Sequence, residues 1–475
     1  MDVSFADGQV EQYEDQESFF GAQGLLYRSR DGQHLVKLYP NDAASAQHVG
    51  RIDTLIKELN PSRDDPYWHT FFAWPEKRAV RPSVGFRMRY VGGMRTIENY
   101  FLGKPFMRLP LEERGWFIGR VASGIKLAAA AHRLSTMGLC YPDFSGKNVL
   151  VDPFAGAAVL IDCDSLTVPG QLAAVVDGSP EFRAPELVTG ALKLPNIETD
   201  RHALAVLLYR WFLLMHPLFG DRHYADDPEQ DELLRYGSQA TYIEHPTDSS
   251  NHVSKQMIKA AMLGKELAGL FERAFVNGLQ QPRQRPRAFE WQQALYHIYD
   301  QIVPCATPDC WWHFFVARPG EPLRCPACQK TLQQPSEVPF VYLLEHRGGR
   351  NPDEYLEGIK SARHFLVGWP ERACYQWHMR PDATPNYTSP TRVPDLQPWA
   401  VFYLDQQTSR WTLKNVSRQP MYYRLPSDTG SQGWRPWLPN EHALLVSGMS
   451  LQFGPAPVYF RALVQLQQVQ QGGII

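Results

Sequence analysis

Between residues 125 and 164 the chain has little freedom in what it can become. The apolar run Ile125-Lys126-Leu127-Ala128-Ala129-Ala130-Ala131-His132-Arg133-Leu134 reads as a helix that Gly138 stops. It feeds Tyr141-Pro142-Asp143-Phe144-Ser145-Gly146-Lys147-Asn148-Val149-Leu150-Val151-Asp152 and, after a turn, Val159-Leu160-Ile161-Asp162-Cys163-Asp164. The pattern is a carboxylate, an amide five positions later, a β-run, a turn, a second β-run and another carboxylate. One carboxylate to orient an attacking hydroxyl, with an amide and a carboxylate to hold Mg²⁺, is the set that phosphoryl transfer from a nucleotide requires. Standing alone, Asp and Asn beside strand ends are more commonly turn formers.

Later motifs raise the weight of this stretch. Gly178-Ser179-Pro180-Glu181-Phe182-Arg183-Ala184-Pro185-Glu186-Leu187 resembles the end of a protein-kinase activation segment, which Ala-Pro-Glu closes. Thr199-Asp200-Arg201-His202-Ala203-Leu204-Ala205-Val206-Leu207-Leu208-Tyr209 resembles the buried helix of the kinase large lobe, and Pro282-Arg283-Gln284-Arg285-Pro286 resembles that lobe's closing motif. Asp143 and Asn148 keep the D-L-x-x-x-N spacing of the catalytic loop, and Asp162 falls at the metal-binding Asp of D-F-G. Over about residues 19–298 the chain therefore resembles the bacterial eukaryotic-like Ser/Thr protein kinases. The resemblance implies a bilobal fold, with residues 1–88 as the small lobe and 89–300 as the large. It gives Asp143 the substrate hydroxyl, Asn148 and Asp162 the Mg²⁺, and Asp200 and the pair Arg285 with Glu186 structural roles.

The small-lobe assignments rest on the same resemblance. Phe19-Phe20-Gly21-Ala22-Gln23-Gly24-Leu25-Leu26-Tyr27 resembles a degenerate nucleotide-covering loop, in which Gly21 and Gly24 let the backbone approach phosphates; by itself it reads as a hairpin turn. The alternating Gln33-His34-Leu35-Val36-Lys37-Leu38-Tyr39 resembles the V-A-I-K strand, making Lys37 the cation for the α- and β-phosphates instead of an edge-strand lysine. Residues 51–59 place Ile52, Leu55, Ile56 and Leu59 on one helical face. The family expects a Glu there to pair with the lysine. Glu58 is the only Glu in that stretch and Asp53 a shorter alternative; either reads equally as a solvated surface charge. Gly85-Phe86-Arg87-Met88-Arg89-Tyr90-Val91-Gly92-Gly93 resembles the last small-lobe strand and hinge, with Met88 as gatekeeper and the backbone of Arg89, Tyr90 and Val91 facing adenine. Residues 221–253, polar and charged, read as a loop between helices.

Departures from the family pattern define a second reading. Tyr141-Pro142 replaces His-Arg, and Ser145 stands where a γ-phosphate Lys is expected. Asp162-Cys163-Asp164-Ser165 replaces D-F-G, adding Asp164 as a carboxylate to share the metal. The missing loop lysine and the poor match for the helix Glu favour a pseudokinase scaffold that binds nucleotide and recruits partners without phosphoryl transfer. Retention of Lys37, Asp143, Asn148 and Asp162 favours an active ATP- and Mg²⁺-dependent enzyme.

Of seven cysteines, four form the close pairs Cys305/Cys310 and Cys325/Cys328 around the aromatic run Trp311-Trp312-His313-Phe314-Phe315-Val316. Four thiolates at this spacing fit a closed structural Zn²⁺ site, a zinc ribbon over residues 301–335. From 336 to 475, runs such as Trp399-Ala400-Val401-Phe402-Tyr403-Leu404 predict an all-β sandwich. Trp411-Thr412-Leu413-Lys414-Asn415-Val416-Ser417 and Gly448-Met449-Ser450-Leu451-Gln452-Phe453-Gly454 resemble the second half of a forkhead-associated domain, a phosphothreonine-binding family. Leu366-Val367-Gly368-Trp369 has Trp where that family's phosphate-reading Arg stands, and no S-x-x-H follows. The fold class read here is multidomain α+β: bilobal kinase, zinc ribbon, β-sandwich.

The order kinase, zinc ribbon, β-domain resembles bacterial kinases associated with von Willebrand A proteins and PP2C-type phosphatases in tellurium-resistance-linked gene sets. It implies such proteins as partners or substrates. A net charge of −2 gives no ground for a nucleic-acid or anionic-membrane partner. The first residues, Met1-Asp2-Val3-Ser4-Phe5-Ala6-Asp7, have no apolar core of a secretory signal, and the most apolar window, 203–218, is too short to span a bilayer. The expected location is the cytoplasm.

Overall fold

The computed structural model describes residues 1–16, 19–21, 24–39, 42–168, 178–254, 258–345, 362, 364–380, 397–428, 433–454 and 459–469, with backbone alone for 19–21 and 42–48. It is a mixed α+β protein with several sheets. Two compact units are present: Met1–Gly115, Ala122–Gln256 and Gly269–Gln292 form the first, and Trp116–Val121, Met257–Ala268 and Gln293–Ile475 the second.

The N-terminal sheet consists of β1 (Asp2–Phe5), β2 (Val10–Gln12), β3 (Phe19–Gly21), β4 (Gly24–Arg28), β5 (His34–Leu38), β6 (Lys77–Arg81) and β7 (Gly85–Arg89). Its order is β2-β1-β6-β7-β5-β4-β3, antiparallel throughout. The two-residue period of a strand sends alternate side chains to opposite faces. Val36 and Leu38 thus join Val3, Phe5 and Ala79 in one core, while Tyr39, Phe86 and Met88 pack with Ile52 in another. Lys37 shares its parity with Tyr39, so it points toward the second core, beside helix α1 (Asp42–Lys57). That helix begins earlier than the apolar periodicity of residues 51–59 suggests, and it ends one residue before Glu58.

A three-stranded sheet follows, ordered β10-β9-β8 from β8 (Arg95–Thr96), β9 (Val149–Asp152) and β10 (Ala157–Leu160). The β9–β10 hairpin pairs Val149 with Leu160, and Ile161 donates its N–H to the Asn148 carbonyl at 3.0 Å. The hairpin brings the ends carrying Asn148 and Asp162 side by side. The helices in this stretch of chain are α2 (Lys104–Arg108), α3 (Phe117–Thr136), α4 (Pro185–Val188), α5 (Ile197–Leu213) and α6 (Pro228–Tyr236). Helix α5 opens with reciprocal bonds between Asn196 and Thr199 and is buried nearly all round, from Leu204 through Leu213. Residues 221–253 are not simply a loop: they contain α6, whose first turn is capped by Asp227 and opened by Pro228. Buried Asn251 fastens the segment by donating to the carbonyls of Leu218 and Thr241.

Next come α7 (Lys265–Glu272), α8 (Gly278–Gln280) and α9 (Ala288–Gln301), then a two-stranded sheet of β11 (Ile302–Pro304) and β12 (Phe314–Val316). The remaining strands are β13 (Glu337–Leu344), β14 (His364–Val367), β15 (Ala373–Cys374), β16 (Ala400–Asp405), β17 (Arg410–Asn415), β18 (Met421–Arg424), β19 (Arg435–Trp437), β20 (His442–Leu444), β21 (Ser450–Gln452) and β22 (Arg461–Gln468). They form two sheets, β14-β13-β22-β21-β18-β19 and β15-β16-β17-β20. One core joins them, with Val341, Leu366 and Val464 from the first and Phe402, Trp411 and Leu413 from the second. Among the described residues no helix is long and apolar enough to cross a membrane.

Candidate functional site

The side chains with chemical potential in the first unit meet around Lys37. Its Nζ donates to Asp162 Oδ1 at 2.6 Å and to Asp164 Oδ1 and Oδ2 at 3.1 and 2.9 Å. Tyr39 donates its hydroxyl to Asp164 Oδ2 at 2.5 Å. Lys37 and Asp164 are 3% and 1% exposed, whereas Asp162 keeps 32% of its side chain open to solvent. Burial alone would make Lys37 easier to deprotonate, but the Asp164 and Asp162 charges outweigh it and raise its pKa. Asp164 is likewise held below the ordinary carboxylate range, because Lys37 and the Tyr39 hydroxyl overcome the cost of burial. Burial and the Asp164 charge push Asp162 up, leaving it the carboxylate with most to gain from another cation. Asp162 also adopts φ 58° and ψ 38°, the left-handed region.

Asp143 and Asn148 form the second part of the site. Asn148 Nδ2 donates to Asp143 Oδ2 at 2.8 Å and to the Asp143 carbonyl at 3.0 Å. Ser179 donates both its N–H and its hydroxyl to Asp143 Oδ1, each at 2.9 Å. Gly178 makes this approach possible: at φ +76°, a Cβ there would stand 2.4 Å from the Pro142 carbonyl oxygen. Both oxygens of Asp143 are oriented, and of about four acceptor positions on a carboxylate one remains for an incoming hydroxyl. A cavity of about 520 Å³ adjoins Ser145 and Ser179, with Glu98, Lys147, Glu181 and Arg235 among its walls.

Arg285, Glu186 and Asp200 are each held by short hydrogen bonds. Arg285 donates to both Glu186 oxygens at 2.7 Å, to the Glu198 carbonyl at 2.9 Å and to the Gly278 carbonyl at 2.8 Å. Asp200 accepts the Tyr141 N–H at 2.7 Å, and burial pushes its carboxyl up to about 8. Tyr141, in place of the family's His, donates its hydroxyl to the Ile161 carbonyl, immediately before Asp162.

Two expectations need correction. Glu58 lies exposed beyond the end of α1 and does not meet Lys37; Asp53 pairs instead with Arg78 at 2.8 Å. Among the described residues of the helix no carboxylate reaches Lys37, whose acid partners are Asp162 and Asp164. Asp164 itself accepts from Lys37 at both oxygens and from Tyr39 at one. Among the nucleotide-contact expectations, Met88 is buried in the core, and Val91 packs against that core. The Tyr90 N–H is engaged by the Gln33 carbonyl at 2.8 Å, so it does not face a base, and its ring lies under Arg28 at 4.2 Å. Gly24 lies where a Cβ would come within 3.2 Å of the Lys37 side chain. Gly21 is placed by its backbone, paired with Gly24; Ala22, Gln23 and residues 169–177 lie outside the described residues.

Cys305, Cys310, Cys325 and Cys328 converge in the second unit, with all four Sγ atoms within 4.8 Å of one another. Cys305 and Cys328 are 3.4 Å apart and Cys310 and Cys325 3.7 Å. Tetrahedral zinc with Zn–S near 2.3 Å requires S···S separations of about 3.8 Å, so the donor set can hold such an ion. Thr307 donates its N–H to Cys305 Sγ at 3.4 Å, a contact suited to steadying a thiolate ligand.

Sequence reasoning missed one polar cluster. Asp300, at the end of α9, accepts at Oδ2 from His364 Nε2 at 2.9 Å and from His378 Nε2 at 3.0 Å. Tyr375 donates its N–H to His378 Nδ1, so the nitrogen facing Asp300 carries the proton. Arg372 closes the group by donating to the carbonyls of Asp300 and Val367. No protein-family model matches the chain, and no curated protein matches it.

Proposed function

We propose that the chain is an ATP- and Mg²⁺-dependent serine/threonine protein kinase on a bilobal kinase fold. The observation that carries this reading is the meeting of Lys37 with Asp162, 125 residues later, next to the oriented Asp143–Asn148 pair. Mg·ATP, when bound, supplies the transferable phosphoryl group. Lys37 is placed to hold phosphate oxygens, and Asn148 and the part-exposed Asp162 to hold the cation. Asp143, fixed by Ser179 and Asn148, orients the substrate hydroxyl and accepts its proton. The cavity beside Ser179 gives room for a peptide segment carrying that hydroxyl. The four cysteines act as a structural zinc ribbon, and the C-terminal sheets as a forkhead-associated-like recruiting domain. A von Willebrand A protein and a PP2C-type phosphatase in the cytoplasm are the partners this reading suggests.

The test is incubation of the purified protein with Mg²⁺ and γ-labelled ATP beside Asp143→Ala. Label on serine or threonine in the wild type alone is the expected result. If neither protein is labelled while Mg·ATP still raises the melting temperature, the chain is a nucleotide-binding scaffold, since a ligand bound to the folded state stabilises it without chemistry.

A further inference from the structure

We propose that Asp164 is the positioning residue for Lys37, doing from the metal-binding segment what a carboxylate on helix α1 does in the kinases this chain resembles. The inference rests on the nucleotide-binding reading above and adds a residue to it. Four observations carry it. Both Asp164 oxygens face Lys37 Nζ, at 2.9 and 3.1 Å, and the pair is almost fully buried. Tyr39, two residues along the same strand face, donates to Asp164 at 2.5 Å and so fixes the carboxylate independently of the lysine. From the described residues of helix α1 a cation reaches the segment: Arg51 donates to the carbonyl of Leu166 at 2.5 Å and to that of Asp164 at 3.4 Å. Finally, the two acids of the 51–59 stretch are elsewhere, Asp53 on Arg78 and Glu58 exposed beyond the helix end.

The consequence is a division of labour between carboxylates two positions apart. Asp164 holds the lysine, and Asp162 is released to a cation when nucleotide arrives. The lysine then keeps one charge-assisted partner throughout, and it loses little side-chain freedom on binding phosphate. Helix α1 is tied to the segment through the backbone carbonyls of Asp164 and Leu166.

Mg·ATP binding measured by calorimetry tests this without depending on phosphoryl transfer. Asp164→Asn and Lys37→Met should each weaken binding about tenfold, the loss of one charge-assisted phosphate contact. The double variant should be no weaker than Lys37→Met alone, because the two residues act as one unit. Asp53→Asn and Glu58→Gln should bind within about twofold of wild type, as surface changes do. Should Asp164→Asn fail to fold, Tyr39→Phe loosens the same carboxylate while keeping every charge; it should weaken binding severalfold in the wild type and not at all beside Lys37→Met. Wild-type binding by Asp164→Asn, multiplying losses in the double variant, or a tenfold loss in Glu58→Gln would each overturn the proposal. A wild-type protein that binds no Mg·ATP would sink the nucleotide reading itself and the proposal with it.

Discussion

The two units each bury a carboxylate against basic side chains, and they do so to opposite ends. Asp164 in the first unit faces a lysine and a tyrosine hydroxyl, with the more exposed Asp162 beside it. Asp300 in the second faces two imidazoles, and the shell is closed: His378 takes a backbone N–H on its other nitrogen, and His364 stacks on His297 at 4.1 Å. His297 in turn meets Glu266 at 2.7 Å. A permanent cation with one open acid neighbour is suited to receive a charged ligand. Buried rings that bond one carboxylate from two separate elements are suited to hold those elements together. Burial of an acid is common to both; what differs is whether a charged group stays within reach of solvent.

The sharpest way to break the contrast is Asp162→Asn. On the proposed kinase function it should lower phosphoryl transfer by about 10³-fold, as loss of a charged metal ligand would, while the melting temperature stays close to wild type. A large fall in melting temperature would place that acid with Asp300 in the structural class. Asp300→Ala should do the reverse, destabilising the second unit by about 3 kcal/mol as two buried donors lose their acceptor, with Mg·ATP affinity unchanged. Denaturant unfolding and calorimetry on the same samples read both effects.

A smaller effect is expected from pH. Burial, then His297, hold His364 down to about 4, against an ordinary value of 6.5. Between these values the unfolded chain takes up a proton that the folded one refuses, so stability falls as pH drops from about 6.5 to about 4. The full effect is on the order of 3 kcal/mol. Protection factors along β14, each taken relative to the intrinsic exchange rate at the same pH, should fall over this window in the wild type and be flatter in His364→Gln. A flat wild-type profile would show that the imidazole is not sealed.

Much of the first unit's site is legible in the sequence because its partners lie at fixed spacing or within recognisable motifs. Asp143 and Asn148 are five residues apart on one tight loop, and Arg285 with Glu186 follows from two short motifs. The identity of the lysine's partner is not legible. Spacing cannot say which of several carboxylates a strand residue will reach, and helical periodicity pointed to α1. The signal that was available is Asp164 itself, an extra acid two residues beyond an expected metal ligand. Tyr39, one alternation beyond Lys37, would have supported it. The Asp300 cluster was invisible for another reason: its members are single residues spread over 78 positions, with no motif among them. The helix in residues 221–253 was hidden by composition, although Asp227-Pro228 is an ordinary helix opening.

The membership of the two units has a practical meaning for anyone handling the gene. Because the second unit takes in Trp116–Val121 and Met257–Ala268 as well as everything from Gln293 onward, no single cut in the chain releases both units whole. A fragment ending at residue 300, where motifs alone suggest stopping, would keep an acid made for two histidines it no longer carries. The C-terminal sheets are therefore not a tag that shuffling can exchange freely.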